Sequence, residues 1–99
     1  MELDIAWDST KAHSNLQKHG VEFTLAASAL LDPLALTTYD RAHSKDEERW
    51  FTLGLARNGS LLAVSHTYHV TGPANANVRL ISARPATRRE REHYQTLAH

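Results

Sequence analysis

The sequence predicts an α+β domain: a small, twisted, mainly antiparallel sheet with two early helices packed on one face. Three observations predict it. Phe23, Ala26, Ala27, Leu30 and Leu31 recur at i, i+3, i+4, i+7 and i+8, the apolar stripe of an amphipathic helix. Asn58-Gly59 between two apolar runs marks a β-hairpin. The elements follow in the order strand, two helices, four strands, helix, which segregates helices from a strand meander. With 99 residues there is chain enough for one modest core, so residues 1–99 read as a single domain.

Taken in order, Leu3, Ile5 and Trp7 alternate with Glu2, Asp4 and Ala6, a half-buried first strand. Asp8 or Ser9 then serves as N-cap of a helix with Ala12 and Leu16 inward, and Gly20 ends it in the left-handed conformation. Asp32-Pro33 ends the second helix. Leu34 to Tyr39 reads as the second strand, followed by a polar loop over residues 41–48. Arg49 to Arg57 and Leu61 to Val70 are the two arms of the hairpin. The turn formers of residues 71–77 lead to a fifth strand opening at Val78. Pro85 stops that strand, because it has no N–H to donate to a ladder. Thr87-Arg88-Arg89-Glu90 is a capping box for the last helix, which has Tyr94 and Leu97 as its main apolar contacts. A charged helix of about ten residues is marginal alone, so it must dock.

Composition excludes several functions. There is no cysteine, hence no disulfide and no thiolate metal site, which fits a reducing cytoplasm. No apolar run approaches the ~20 residues of a membrane span, and the start lacks the pattern of a secretory leader. No GxSxG, P-loop or GxGxxG motif occurs, and His13 and His19 lack metal-ligand spacing, so no cofactor and no metal are expected. Eleven acidic residues balance eleven basic ones, so net charge gives no support for nucleic-acid binding, and any electrostatic footprint must come from local clustering. Charge is nevertheless local: residues 79–91 carry five Arg and one Glu. There Arg84, Arg88, Arg89 and Arg91 surround a helix start that can gather anions, although Arg and Glu on a short helix also make an ordinary solvated face.

A two-residue turn at Asn58-Gly59 pairs Leu55 with Leu62, Leu53 with Val64 and Phe51 with His66, an apolar face to lie under the helices. His66 then reads as a satisfied core histidine. The opposite face carries Glu48, Trp50 and Thr52 beside Ser65, Thr67 and His69. If Thr67 lies beside Arg79, then Arg79, Ile81 and Ala83 join it, and Glu48, Trp50, His69 and Arg79 converge on an open surface. Such a group suits RNA cleavage, which needs the 2′-OH deprotonated, the leaving 5′-oxygen protonated and charge on phosphorus stabilised. Trp50 can stack a splayed base. The plainer alternative is a cross-strand Glu48–Arg79 ion pair worth about 0.2–1 kcal/mol.

Trp7-Asp8, Asn15, Lys18-His19-Gly20, Asp32-Pro33-Leu34, Glu47-Glu48-Arg49, the run from Ile81 to Thr87, Arg89-Glu90-Arg91 and Tyr94 together resemble the BrnT toxins of bacterial type II toxin–antitoxin pairs. The likeness runs from about Leu3 to Leu97. It implies a RelE-like fold and a metal-independent endoribonuclease that stops translation and growth. It also implies a BrnA-type antitoxin whose ribbon-helix-helix part binds operator DNA, so that the chain touches DNA only through its partner; the lack of a spanning apolar run separately predicts no membrane partner. On this reading Arg79 and Arg84 bind the scissile phosphate and Glu48 or His69 moves the proton. Lys18, His19, Trp50 and Arg88 help to hold RNA. The sequence departs from the pattern at Glu22, which stands where an N-cap belongs, in a longer connection from His69 to Asn77, and in its formal neutrality. A non-catalytic module that binds an antitoxin-like partner is the competing expectation.

Overall fold

The computed structural model describes residues 2–98. Its elements are β1 (Glu2–Ala6), α1 (Ser9–His19), α2 (Phe23–Leu30), β2 (Leu36–Tyr39), β3 (Trp50–Leu55), β4 (Leu61–His66), β5 (His69–Gly72), β6 (Asn75–Pro85) and α3 (Arg88–Ala98). The sheet runs β1-β6-β4-β3-β2, with β5 also on β6. The α+β class and the antiparallel meander stand, while β1 joins parallel to β6.

The expected fourth strand breaks at Thr67-Tyr68 into β4 and β5. The expected loop of residues 71–77 is largely a hairpin, and β6 begins at Asn75 rather than Val78. Asn75 and Asn77 look like turn formers, but each is held by neighbours on both sides: Glu2 and Gly72 for Asn75, Asp4 and His69 for Asn77. Paired backbone overrides local turn preference.

The larger core lies between the sheet and α1–α2, where Phe23, Ala26 and Ala29 meet Leu62, Val64, Val78, Leu80 and Ala83. A smaller cluster of Leu53, Leu61, Ala63 and Tyr94 sits on the other face under α3. Leu31, expected inward, is 63% exposed, and Ala29 is buried instead. Glu22 makes no side-chain cap for α2. The Thr87 box forms as expected: Glu90 N donates to Thr87 Oγ1 at 3.1 Å and Thr87 N to Glu90 Oε1 at 2.9 Å. Tyr94 docks α3 by donating to Asp32 Oδ2 at 2.5 Å. Burial and the Asp32 carboxylate push its phenol up to about 12, so it stays a donor at neutral pH.

The β3–β4 hairpin corrects the expected register. A type I′ turn needs positive φ at both central residues. Of Asn58 and Gly59, only Gly59 has it, at 87°. Gly59 N and Ala56 N bond to Ala56 O and Ser60 O respectively, so the loop holds three residues, a type I turn with a glycine bulge. Pairing therefore slides by one, to Leu55–Leu61, Leu53–Ala63 and Phe51–Ser65. One step turns a strand over. Leu53 and Phe51 go under α3, while Gly54 faces α2 at Ala29. On β4 the expected face stands, with Leu62, Val64 and His66 buried.

Asp8 caps α1 through Thr10 N at 3.3 Å, and Gly20 closes it at φ 70°. The inward residue is Asn15, whereas Leu16, expected there, is 42% exposed. The reason lies on β6, where β1 stops pairing at Arg79 and leaves the edge beyond it without a strand. Asn15 fills that place. Its Oδ1 accepts from Ala83 N at 3.0 Å and its Nδ2 donates to Ala83 O at 2.9 Å and Val21 O at 3.0 Å. Asn15→Ala would leave an amide and two carbonyls buried without partners. The expected cost is about 3 kcal/mol, read as a lower denaturant midpoint at unchanged m.

Candidate functional site

The helix-free part of the second face is built by β1, β6 and β5. Asn77 pairs with Asp4 on one side and His69 on the other, and Arg79 follows beside Ala6. Thr67 lies next to Arg79 as expected: Thr67 N donates to Arg79 O at 3.0 Å, and Arg79 N to Thr67 Oγ1 at 2.9 Å. Side chains alternate along a strand. With Val78 and Leu80 in the core, Arg79 therefore stands on the outer face. The result is an open cleft of about 450 Å³ lined by Asp4, Glu47, Thr67, His69, Asn77 and Arg79.

Glu47 comes from the loop before β3, which Ser44 closes by donating to Asp40 O at 2.5 Å and accepting from Arg49 N at 2.9 Å. Arg79 Nη2 donates to both Glu47 oxygens at 2.7 and 2.6 Å. The two side chains are 47% and 42% exposed, so water screens the pair. Such a pair is worth at most about 1 kcal/mol. An incoming phosphate can replace the carboxylate at little cost.

His69 and Arg79 thus meet as the sequence suggested. Glu48 is exposed, and the carboxylate on Arg79 is its neighbour Glu47. Trp50 is a correction: the shifted register pairs it with His66, whose own face is the buried one, across the sheet from Arg79. Its ring packs against Tyr39 at 5.3 Å and Tyr68 at 5.8 Å. Ala83 likewise lies in the core and Arg84 on the outer face. Arg84 is five residues beyond Arg79, roughly 16 Å of extended chain. It is committed elsewhere, donating bidentately to Glu90 at 2.7 and 3.0 Å with its guanidinium 5.9 Å from the Phe51 ring. Lys18 and His19 line a different groove, at the end of α1. Arg88, 93% exposed, makes a 3.4 Å pair with Glu92, an ordinary solvated contact.

His66 is the satisfied core histidine expected. Its Nδ1 faces Thr67 O at 2.8 Å, an oxygen that only accepts, so the proton sits there. Nε2 then accepts from Thr52 at 2.7 Å, and Thr52 from Thr37 at 2.8 Å. Burial lowers the His66 pKa below 6.5, outweighing the bond to Thr67, which raises it. The Arg84 bond, the largest cause, holds Glu90 at about 2.

Both groups make stability fall with acid, in separate windows. The unfolded chain takes up a proton at His66 below about pH 6.5 that the folded one refuses. The contribution of Glu90 is full above pH 4.5 and is lost as pH falls towards 2. Thermal melts should show Tm declining below about pH 6.5 and again below 4.5. Glu90→Gln should flatten the second decline and leave the first.

Sequence reasoning missed Glu47 and Asn15. Strand parity does not extend into the loop that carries Glu47, and a buried amide leaves no trace in a hydrophobic pattern.

Comparison with known proteins bears on what this cleft belongs to. The family described as "Ribonuclease toxin, BrnT, of type II toxin-antitoxin system" matches residues 7–90. Among solved structures, the Brucella abortus ribonuclease toxin BrnT superposes with a TM-score of 0.61 at 24% identity, covering 88% of this chain and 100% of that one. That likeness supports the fold. No curated protein matches the chain. With a family match over most of its length, the chain belongs to the BrnT ribonuclease toxin family of type II toxin–antitoxin systems.

Proposed function

We propose that the chain cleaves single-stranded RNA in the cleft around Arg79, without a metal ion, and thereby stops translation and growth. The observation that carries this is a reachable guanidinium flanked by a carboxylate and an imidazole in an open cleft. Arg79 takes the scissile phosphate and holds the charge that builds on its oxygens. Glu47, released as phosphate arrives, accepts the proton of the attacking 2′-OH, the role expected of Glu48. His69 donates a proton to the departing 5′-oxygen, as a positioned imidazole can. The P–O5′ bond breaks as the O2′–P bond forms, leaving a 2′,3′-cyclic phosphate and a 5′-hydroxyl. Arg84 takes no part in this scheme, because its partner Glu90 ties it to α3.

Purified protein should cut message in a cell-free translation reaction and also in buffer containing chelator, and leave RNA intact where the 2′-OH is replaced by hydrogen. Uncut message in the presence of an active control ribonuclease would defeat the reading. The neutralising partner is a BrnA-type antitoxin, which brings the pair to operator DNA through its ribbon-helix-helix part. Co-expression should then restore growth.

The non-catalytic module is favoured by one observation, the carboxylate already seated on Arg79. Expression alone separates the two: growth arrest relieved by Arg79→Ala supports the enzyme, and harmless expression with tight partner binding supports the module.

A further inference from the structure

A groove of about 260 Å³ lies between α1 and the edge of β6, lined by Lys11, Ser14, Asn15, Lys18, His19 and Ser82 among others. Lys11, Ser14 and Lys18 fall at i, i+3 and i+7, one face of the helix. From Ser9 to His19 the helix has no acidic residue. Among the described residues neither lysine makes an ion pair. Helix stability accounts for Lys18 and His19, since cations suit a C-terminal turn. It does not account for Lys11, which sits in the first turn, where the helix dipole opposes a cation.

The groove also has a definite place on the sheet. Pairing with β1 ends at Arg79, Asn15 covers Ala83, and between them β6 bulges. Ser82 pairs with Ser65 and Leu80 with His66, which leaves Ile81 over. A bulge bends the edge and re-aims its side chains. Ser82 is three residues from Arg79, about 10 Å along the strand.

We propose that this groove binds the sugar–phosphate backbone of single-stranded RNA running on from Arg79, with Lys11 and Lys18 each neutralising one phosphate and the hydroxyls of Ser14 and Ser82 donating to its oxygens. The proposal rests on the ribonuclease reading and says where the substrate beyond the scissile phosphate lies. The lysines are seven residues apart on one helix, about 10 Å, and so present separate charges along a line. An acidic protein segment fits less well. Among the described residues no exposed large apolar side chain lines the groove, where Ile81 is half-buried, and protein partners anchor on exposed ones.

The test is the salt dependence of binding a single-stranded 2′-O-methyl oligoribonucleotide, which has no free 2′-hydroxyl to attack. Each phosphate contact contributes about 0.7 to the slope of log K against log salt. The Lys11→Ala/Lys18→Ala double variant should therefore lose about 1.4 from the slope and bind more weakly at low salt, with Tm unchanged. Arg57→Ala, which removes one positive charge at the tip of the β3–β4 hairpin, is the control for a charge remote from the groove and should keep the wild-type slope. An unchanged slope in the double variant overturns the proposal, as does a wild type that does not bind the oligomer. A double variant that binds the oligomer normally but no longer binds the antitoxin also overturns it, by making the groove a protein contact. The two readings fail separately. If wild type cuts no RNA yet the slope drops as expected, the groove stands and the ribonuclease reading falls; if Arg79→Ala alone abolishes cleavage while the slope ignores both lysines, the reverse holds.

Discussion

Arg79→Ala is expected to slow RNA cleavage by about 10²–10³-fold, the usual effect of removing a donor that stabilises transition-state charge. Stability should barely move. The ion pair lost with it is nearly half exposed on both sides, so at most about 1 kcal/mol goes with it. The diagnostic result is a collapse of kcat in a protein whose melting curve overlays the wild type. Arg79→Lys should recover only part of the rate, since an ammonium is a point charge without the two-pronged fork of a guanidinium. Glu47→Gln tests the other half of the pair, since it removes both the competitor for Arg79 and the proposed proton acceptor. Oligomer affinity should therefore rise while cleavage falls. Full cleavage by Arg79→Ala would remove the basis of the mechanism.

Gly54→Ala is expected to have the largest effect on stability. A Cβ there would lie 2.1 Å from Ala29 O and 2.8 Å from Ala29 C, both backbone atoms of α2. No rotamer relieves such a contact. Either α2 lifts from the sheet, opening the core around Ala26 and Val64, or β3 buckles. The cost should exceed the ~1–3 kcal/mol typical of overpacking. Against a total stability of about 5–15 kcal/mol, that is a large share. Gly59→Ala is the control: nothing lies within 4 Å of its Cβ, and only the φ of 87° opposes it. Its loss should be nearer 1 kcal/mol. Denaturant titrations that rank Gly59→Ala as the costlier change would contradict the close approach of α2 to β3.

Much of this architecture was legible in the sequence because local and global preferences agree. The stripe from Phe23 to Leu30 makes a helix, Gly20 ends α1, Pro85 ends β6, and Thr87 with Glu90 starts α3. What was not legible turns on a single loop. Asn58-Gly59 signals a hairpin, but a two-residue and a three-residue loop share that signal, and the difference of one residue reverses β3. Two clues pointed to the observed pairing. Glycine inside a strand marks a close backbone approach, as at Gly54, and Thr52 and His66 satisfy each other only when they share a face. Arg79 and His69 kept their expected company because β4 held its face despite the slip. Trp50 and Glu48 did not, because one followed β3 across the sheet and the other lies beyond the strand.

The parallel union of β1 with β6 has a consequence for synthesis. Glu2 pairs with Asn75 and Ala6 with Arg79, partners 73 positions apart in the chain. A nascent polypeptide has no floor for the cleft until β6 has left the ribosome. Contacts of such long sequence separation are also slow to form. A chain interrupted before β6 would therefore lack the cleft, with Asp4 missing the strand that should lie beside it.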